Sequence, residues 1–286
     1  MKGQDFFMTN KRLSELKKIS LNAKLLVLEG IYTAQSGHPG GSFSVMDILT
    51  YLYFEKLNIN PSDPQMAKRD RFVLSKGHAC PALYSILALR GFFDTSELKN
   101  LRKIGGMLQG HPCMNETPGI DMSTGSLGQG FSTACGIALR EKKEKLGFRT
   151  YAVIGDGESQ EGQIWEAAMF ASHYKLSKLT LFVDHNMLQI DGEVKKVMNP
   201  CKLEDKFASF GWHVQTINGH SFKEIEKAVS NSEETNKPSV IICKTVKGKG
   251  VSFMENQAGW HGKAPKAEEY EKAVAELKEQ LKAVEE

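Results

Sequence analysis

The chain has 286 residues, of which 41% are hydrophobic and 25% are charged, as in an ordinary globular protein long enough for one large α/β domain. Its 37 Lys and Arg residues against 34 Asp and Glu residues leave a net charge of +3, which excludes the strongly basic surface typical of nucleic-acid or membrane-surface binding. No apolar run approaches the roughly 20 residues of a membrane span, and the five cysteines form no C-x-x-C pair, so we expect a cytoplasmic protein without a disulfide framework.

The first third of the chain alternates helices with glycine-rich loops. Apolar residues at helical spacing predict a long helix over 10–34, and the following S-G-H-P-G-G segment predicts a loop, because proline and glycine interrupt helices. A second helix is predicted over 45–57, a short strand over 71–74, and a helix over 81–89.

The rest of the chain alternates apolar strands and helices. Strands are predicted over 150–154, 179–183, 213–217 and 239–243, and helices over 161–174, 222–229 and 267–286, with an earlier one ending near 145. This alternation predicts an α/β fold with a parallel sheet and helices on both faces. We find no repeat or linker and predict one domain over 1–286, with a catalytic core over about 14–265 and a C-terminal helix over 266–286.

Two neighbouring strand ends carry oxygen-bearing side chains. Asp156 follows one predicted strand and Asn186 follows the next, and Gly155 and Gly157 leave room for a bulky ligand. Because ligands collect at the carboxyl ends of parallel strands, the two side chains could converge there. With the backbone carbonyl of Leu188 they form an all-oxygen set that suits Mg²⁺. Either segment alone is more often a plain turn; their joint spacing favours the metal site.

Glycine-flanked loops supply the other candidate residues. The G-S-L-G-Q-G segment at 125–130 precedes a helix, so its N–H groups could face an anion, although tight packing explains it nearly as well. It matches neither the Walker A nor the dinucleotide-binding glycine pattern. Four histidines in such loops suggest a polar pocket for proton transfer rather than a zinc site, although each alone is more often a surface residue. These are His38, His78, His111 and His261. Lys76 and Lys247 add positive charge that suits a diphosphate, and the other four histidines receive no role.

Together these motifs resemble the transketolase family. The ordered series comprises S-G-H-P at 36–39, L-S-K-G-H-A at 74–79, G-H-P at 110–112, S-T-G-S-L-G-Q-G at 123–130, G-D-G-E-S-Q-E-G at 155–162 and W-H-G at 260–262. The G-D-G segment with Asn186 resembles the cofactor motif of thiamine-dependent enzymes. The resemblance implies a thiamine-diphosphate-binding fold, with thiamine diphosphate and Mg²⁺ as cofactors.

The resemblance also implies a role for each matching residue. Asp156, Asn186 and the Leu188 carbonyl would hold Mg²⁺. The residues that would surround the cofactor are Lys76, His78, Gly125, Ser126, Leu127, Gly157, Lys247 and His261. The catalytic residues, which would handle substrate hydroxyls and protons, are His38, His78, His111 and His261. Glu161 would lie at the interface between paired active sites, and Gly41 replaces a hydroxyl residue of some members, a role that Ser42 could take.

The same resemblance implies the N-terminal subunit of a split transketolase, active only with a separate C-terminal subunit that carries the pyrimidine-binding half, in two copies of each. Such an enzyme transfers a two-carbon ketol unit from a ketose phosphate to an aldose phosphate in the pentose phosphate pathway. Three alternatives stay open: a split transketolase for an unusual pentose or a sulfosugar, a related thiamine-enzyme subunit of the deoxyxylulose-phosphate synthase or 2-oxo-acid dehydrogenase type, and a non-catalytic scaffold. The intact motifs disfavour the scaffold.

Overall fold

A computed structural model describes residues 8–285. The strands are β1 Arg71–Leu74, β2 Thr150–Gly155, β3 Leu179–His185, β4 Leu188–Gln189, β5 Gly192–Glu193, β6 His213–Asn218 and β7 Ser239–Lys244. Five of them form a central sheet in the order β1-β2-β3-β7-β6, in which every neighbouring pair is parallel. Strands β4 and β5 form a short antiparallel hairpin directly after β3.

Helices cover both faces of the sheet, which confirms the predicted fold class. The helices are α1 Asn10–Ala34, α2 Pro39–Tyr51, α3 Cys80–Arg90, α4 Gln129–Glu144, α5 Gly162–His173, α6 Val194–Val197, α7 Leu203–Ser209, α8 Phe222–Glu233 and α9 Ala267–Glu285. One hydrophobic core joins the sheet to α1, α2, α3, α8 and α9, and a second core joins its other face to α4, α5 and α7. No helix within residues 8–285 combines the length and the apolar character needed to cross a bilayer.

The middle residues of the central strands are apolar on both sides because both faces of the sheet are covered. Tyr151 and Val153 of β2 belong to the first core, whereas Ala152 and Ile154 belong to the second. This arrangement explains why the strand segments are continuous apolar runs without hydrophobic–polar alternation.

The structure differs from the predicted elements mainly at the start of α2. The P-G-G segment, predicted as loop, forms the first turn of that helix, and every residue of α2 is buried. Proline is tolerated in a first turn, and burial of the whole helix outweighs the low helix propensity of glycine. The predicted strand 179–183 extends to His185, α6, α7 and the hairpin were not predicted, and the predicted ends 1–7 and 286 lie outside the described residues.

Candidate active site

A cavity of about 370 Å³ opens at the carboxyl ends of β1, β2 and β3. Its wall brings together most of the predicted site residues: His38, Lys76, His78, Gly125, Leu127, Asp156, Gly157, Glu161, Asn186, Leu188, Lys247 and His261. Ser126 and His111 are exposed and are not part of this wall. The ring of His111 lies behind Gly125, where a Cβ atom would come within 3.2 Å of it.

Asp156 and Asn186 lie at neighbouring strand ends because β2 and β3 pair in parallel up to Gly155 and Asp184. The Asp156 carboxylate is 2% exposed and accepts hydrogen bonds from the backbone N–H groups of Gly157, at 2.8 Å, and Met187. It makes no ion pair within residues 8–285, and burial together with the negative charge of Asp184 raises its pKa. A buried carboxylate without a cation is a suitable ligand for a metal ion.

The two other predicted metal ligands belong to the same turn. The side-chain oxygen of Asn186 accepts a hydrogen bond from the N–H of Leu188 at 3.1 Å, and the Leu188 carbonyl accepts one from Nζ of Lys247 at 3.3 Å. Within the described part of the chain, no group of three or more His, Cys, Asp or Glu residues could hold a metal ion. A divalent ion at this site would therefore need further oxygens from water or a bound ligand, and a diphosphate could supply some of them.

Asp184 is a buried carboxylate to which the sequence analysis assigned no role. It accepts hydrogen bonds from Ser44 at 2.5 Å and from Thr245, and it forms an ion pair with Lys76. Burial alone would raise the pKa of Asp184, but Lys76 and these hydrogen bonds hold it below its usual value. The amide nitrogen of Asn186 lies 3.4 Å from the same carboxylate, which leaves the amide oxygen on the other side.

Lys76 lies between Asp184 and the start of α2. Its ammonium donates a hydrogen bond to the carbonyl of Gly41 at 3.1 Å. A Cβ atom on Gly41 would lie 3.4 Å from this ammonium and 3.5 Å from Nε2 of His78, which are ordinary van der Waals distances, so both side chains lie directly beside Gly41. The hydroxyl of Ser42 donates to the His38 carbonyl at 2.7 Å, and Ser42 is not among the residues that line the cavity.

Three of the predicted histidines form a triangle at the cavity. The ring centroids of His38, His78 and His261 lie 5.0–5.5 Å apart. Burial and the positive charges around them lower the pKa of His38 to about 4 and that of His261 to about 3, and they lower the pKa of His78 well below its usual value. All three rings are therefore neutral at pH 7 and can exchange hydrogen bonds and protons with a polar ligand. Nδ1 of His38 is buried without a hydrogen-bond partner within residues 8–285.

Lys247 is a second buried cation in the wall. Its ammonium lies 2.9 Å from Nδ1 of His261 and also donates to the Leu188 carbonyl. Burial and the positive charge of Lys76 lower the pKa of Lys247 to about 8. No carboxylate within the described residues pairs with Lys247, so its charge favours an anionic ligand.

Glu158 connects three loops of the site, and its role was not predicted from the sequence. One carboxylate oxygen accepts from the Ser75 hydroxyl at 2.5 Å and from the Gly128 N–H at 2.8 Å, and the other accepts from the Gly155 N–H at 3.0 Å. Burial raises its pKa. Its position inside the G-D-G-E-S-Q-E-G motif carries no signal that it would meet residues from two distant segments.

Comparison with known proteins supports the family resemblance that the motif series indicates. Residues 16–283 match the family model described as "Transketolase, thiamine diphosphate binding domain". The chain belongs to the transketolase family. The resemblance inferred from the motifs is thereby confirmed.

Individual transketolases match over different shares of their length. The chain is 49% identical over 257 residues to the 6-deoxy-6-sulfo-D-fructose transketolase subunit of Clostridium sp. (strain MSTE9), covering 89% of this chain and 93% of that subunit. It is 43% identical over 265 residues to an apulose-4-phosphate transketolase subunit of Phocaeicola vulgatus, covering 92% and 94% of the two. The crystal structure of transketolase from Campylobacter jejuni superposes with a TM-score of 0.87 at 34% identity, covering 93% of this chain and 42% of that one. This chain thus spans nearly all of the two named subunits but less than half of the Campylobacter jejuni transketolase chain.

Proposed function

We propose that this chain binds thiamine diphosphate and Mg²⁺ in the cavity and supplies the diphosphate-binding half of a transketolase. The observation that carries the proposal is the buried Asp156 carboxylate, which forms no ion pair within residues 8–285 and lies at a strand end beside Asn186 and the buried cation Lys247. This donor set fits a divalent ion bridged to a diphosphate, and the family model that matches the chain is that of a thiamine-diphosphate-binding domain.

The predicted residues in the cavity wall have positions that support the following roles, whereas Ser126 lies outside the wall within the segment 125–127. Asp156, Asn186 and the Leu188 carbonyl would hold Mg²⁺. The diphosphate would be bound by the two buried lysines, by His78 and His261, and by the loop segments Gly125–Leu127 and Gly157. When bound, thiamine diphosphate supplies the electron sink for cleavage of a carbon–carbon bond.

The protein would contribute orientation and proton transfer. The neutral rings of His38, His78 and His261 would exchange hydrogen bonds with the hydroxyl groups of a sugar phosphate at the mouth of the cavity and would donate to its carbonyl group. His111 is exposed outside the wall, so its proposed part in catalysis is limited to the substrate entrance.

A second subunit would complete the site. Glu161, Leu127 and Ile190 line the cavity and are exposed, with Leu127 36% and Ile190 67% exposed. We propose that a separate subunit with the pyrimidine-binding half covers this rim, in two copies of each subunit, and that Glu161 lies at their interface. The proposal is supported by the two relatives named as transketolase subunits, which the chain covers almost completely.

The reaction would be transfer of a two-carbon ketol unit from a ketose phosphate to an aldose phosphate, in the pentose phosphate pathway. A specialised donor is the second candidate, because the two subunit relatives are named for 6-deoxy-6-sulfo-D-fructose and for apulose 4-phosphate. We also propose that the chain acts as a single domain and in the cytoplasm, in keeping with its five free cysteines.

The test is to combine the chain with a candidate C-terminal subunit, thiamine diphosphate and Mg²⁺, and to measure ketol transfer to ribose 5-phosphate. Xylulose 5-phosphate, sulfofructose and apulose 4-phosphate serve as parallel donors, and the same complex with Asp156→Ala is the control. Activity that needs both chains supports the proposal, and the preferred donor decides between the two candidates. Turnover by this chain alone would contradict the requirement for a partner.

A further inference from the structure

A largely buried polar cluster lies beside α2, outside the wall of the cavity, and the proposed mechanism does not use it. It consists of Ser20 and Lys24 from α1, Asp47 from α2, and His220 from the loop before α8. We propose that Asp47 and His220 are positioning residues, which hold the loop that carries Lys247 in place for cofactor binding. This inference rests on the proposed role of Lys247.

His220 connects Asp47 to the backbone of that loop. Nδ1 of His220 lies 2.7 Å from one oxygen of Asp47, and the N–H of Val246 donates to Nε2 of His220 at 2.9 Å. Because a backbone N–H can only donate, Nε2 must be the acceptor, and the hydrogen bonds therefore assign the proton of the ring to Nδ1. In this tautomer the ring donates a hydrogen bond to the Asp47 carboxylate and accepts one from the Val246 amide at the same time.

The surroundings keep Asp47 charged and thereby favour that tautomer. Its second oxygen accepts from the Ser20 hydroxyl at 2.6 Å. Burial would raise the pKa of Asp47, but the ammonium of Lys24 and the bonds from His220 and Ser20 lower it to about 2. A charged carboxylate is the stronger acceptor for Nδ1–H, so it stabilises the ring with Nε2 free to accept.

The bond to Val246 acts one residue before Lys247. The carbonyl of Lys247 accepts from the N–H of Asn256 at 2.9 Å, and the N–H of Gly248 donates to the carbonyl of Gly40 at 3.0 Å. These bonds hold the loop after Lys247, whereas His220 holds it just before. The lysine side chain then reaches His261 and Leu188 from a backbone fixed on both sides.

Close packing fixes the position of the His220 loop against the end of β7. A Cβ atom on Gly219 would lie 2.6 Å from Cγ2 of Thr245, so the absence of a side chain brings the His220 loop directly onto the end of β7. Loss of the two ring nitrogens of His220 would leave the N–H of Val246 and one oxygen of Asp47 without these hydrogen-bond partners. We therefore expect the Lys247 loop to open more often, which lowers the fraction of molecules competent to bind the cofactor.

The experiment measures the dissociation constant of thiamine diphosphate at saturating Mg²⁺ in the assembled complex. His220→Phe keeps a ring of similar size but removes the hydrogen bonds to Asp47 and Val246. We expect it to weaken binding about tenfold and to speed amide hydrogen exchange over residues 246–256. His220→Gln, which keeps an acceptor and a donor, should retain more affinity and covers the case in which the Phe variant does not fold. The matched control is His213→Phe, a half-buried histidine at the opposite end of the sheet whose Nδ1 lies 3.3 Å from the Ser239 hydroxyl; it should leave the affinity unchanged.

Combination with Lys247→Met separates positioning from a general structural effect. If His220 acts through Lys247, His220→Phe should cause no further loss of affinity in the Lys247→Met protein. An equal tenfold loss in both backgrounds, or unchanged affinity in His220→Phe, would overturn the inference while leaving the proposed function intact. If Lys247→Met itself binds the cofactor as well as wild type, the proposed role of Lys247 fails, and the inference that rests on it fails with it.

Discussion

The ion pair between Lys76 and Asp184 can be broken by one nearly isosteric change, Asp184→Asn. Asp184 is completely buried at the end of β3, and Lys76 is 2% exposed. The asparagine keeps the shape of the side chain and can still accept from Ser44. It removes the negative charge, so Lys76 is left as a buried cation with no carboxylate partner within residues 8–285.

Breaking a buried ion pair by removing one partner costs about 3–5 kcal/mol of stability. In a domain of this size, each kcal/mol lowers the midpoint of thermal unfolding by roughly 2–4 °C, so we expect a decrease of about 6–20 °C at pH 7. The pKa of Asp184 lies below its usual value. Its contribution is therefore present at neutral pH and is lost as the pH falls through that pKa, so wild type and variant should converge in acid.

Thermal unfolding followed by circular dichroism measures this difference between wild type and Asp184→Asn. Asp191→Asn is the matched control, because Asp191 lines the same cavity but is exposed; it should shift the midpoint little. Lys76→Met combined with Asp184→Asn should cost less than the sum of the single changes, since the double variant buries no unpaired charge. A midpoint within about 2 °C of wild type for Asp184→Asn would refute the reasoning.

Three further substitutions test the site. Asp156→Ala should abolish measurable affinity for thiamine diphosphate in the presence of Mg²⁺, because the proposed charged metal ligand is removed. Equal affinity by calorimetric titration would refute the metal assignment. His38→Ala should lower kcat of the complex by roughly 10²–10⁴-fold and largely spare cofactor affinity. Because burial lowers the pKa of His38 to about 4, its ring should add no step to the pH–rate profile between pH 5 and 8. A step in the wild-type profile that disappears in the variant would count against a neutral ring. Lys247→Met should weaken cofactor binding but raise the midpoint of thermal unfolding of the cofactor-free chain at pH 7. Burial lowers the pKa of Lys247 to about 8, so its positive charge is unfavourable in the folded state. A lower midpoint would show that the hydrogen bonds of Lys247 outweigh that cost.

The fold class and the pair of strand-end oxygens could be predicted from the sequence because both depend on local patterns. Continuous apolar segments separated by helices predict a covered parallel sheet. Asp156 and Asn186 each follow such a segment, and the parallel pairing of consecutive strands then brings them together. The prediction that residues 39–41 form a loop was wrong because it used the local propensities of glycine and proline, whereas burial of the whole of α2 decides their conformation.

What the tertiary structure alone decided is which distant groups satisfy the buried charges. Asp184 pairs with Lys76, 108 positions away, and Glu158 bonds Ser75, 83 positions away. His220 belongs to the same class, since its partner Asp47 lies 173 positions from it in the chain. Spacing and composition specify short-range geometry, but they carry no information about which donor meets a carboxylate after the sheet has brought separate segments together. For that reason the cofactor motifs were readable in advance, and the polar network that supports them was not.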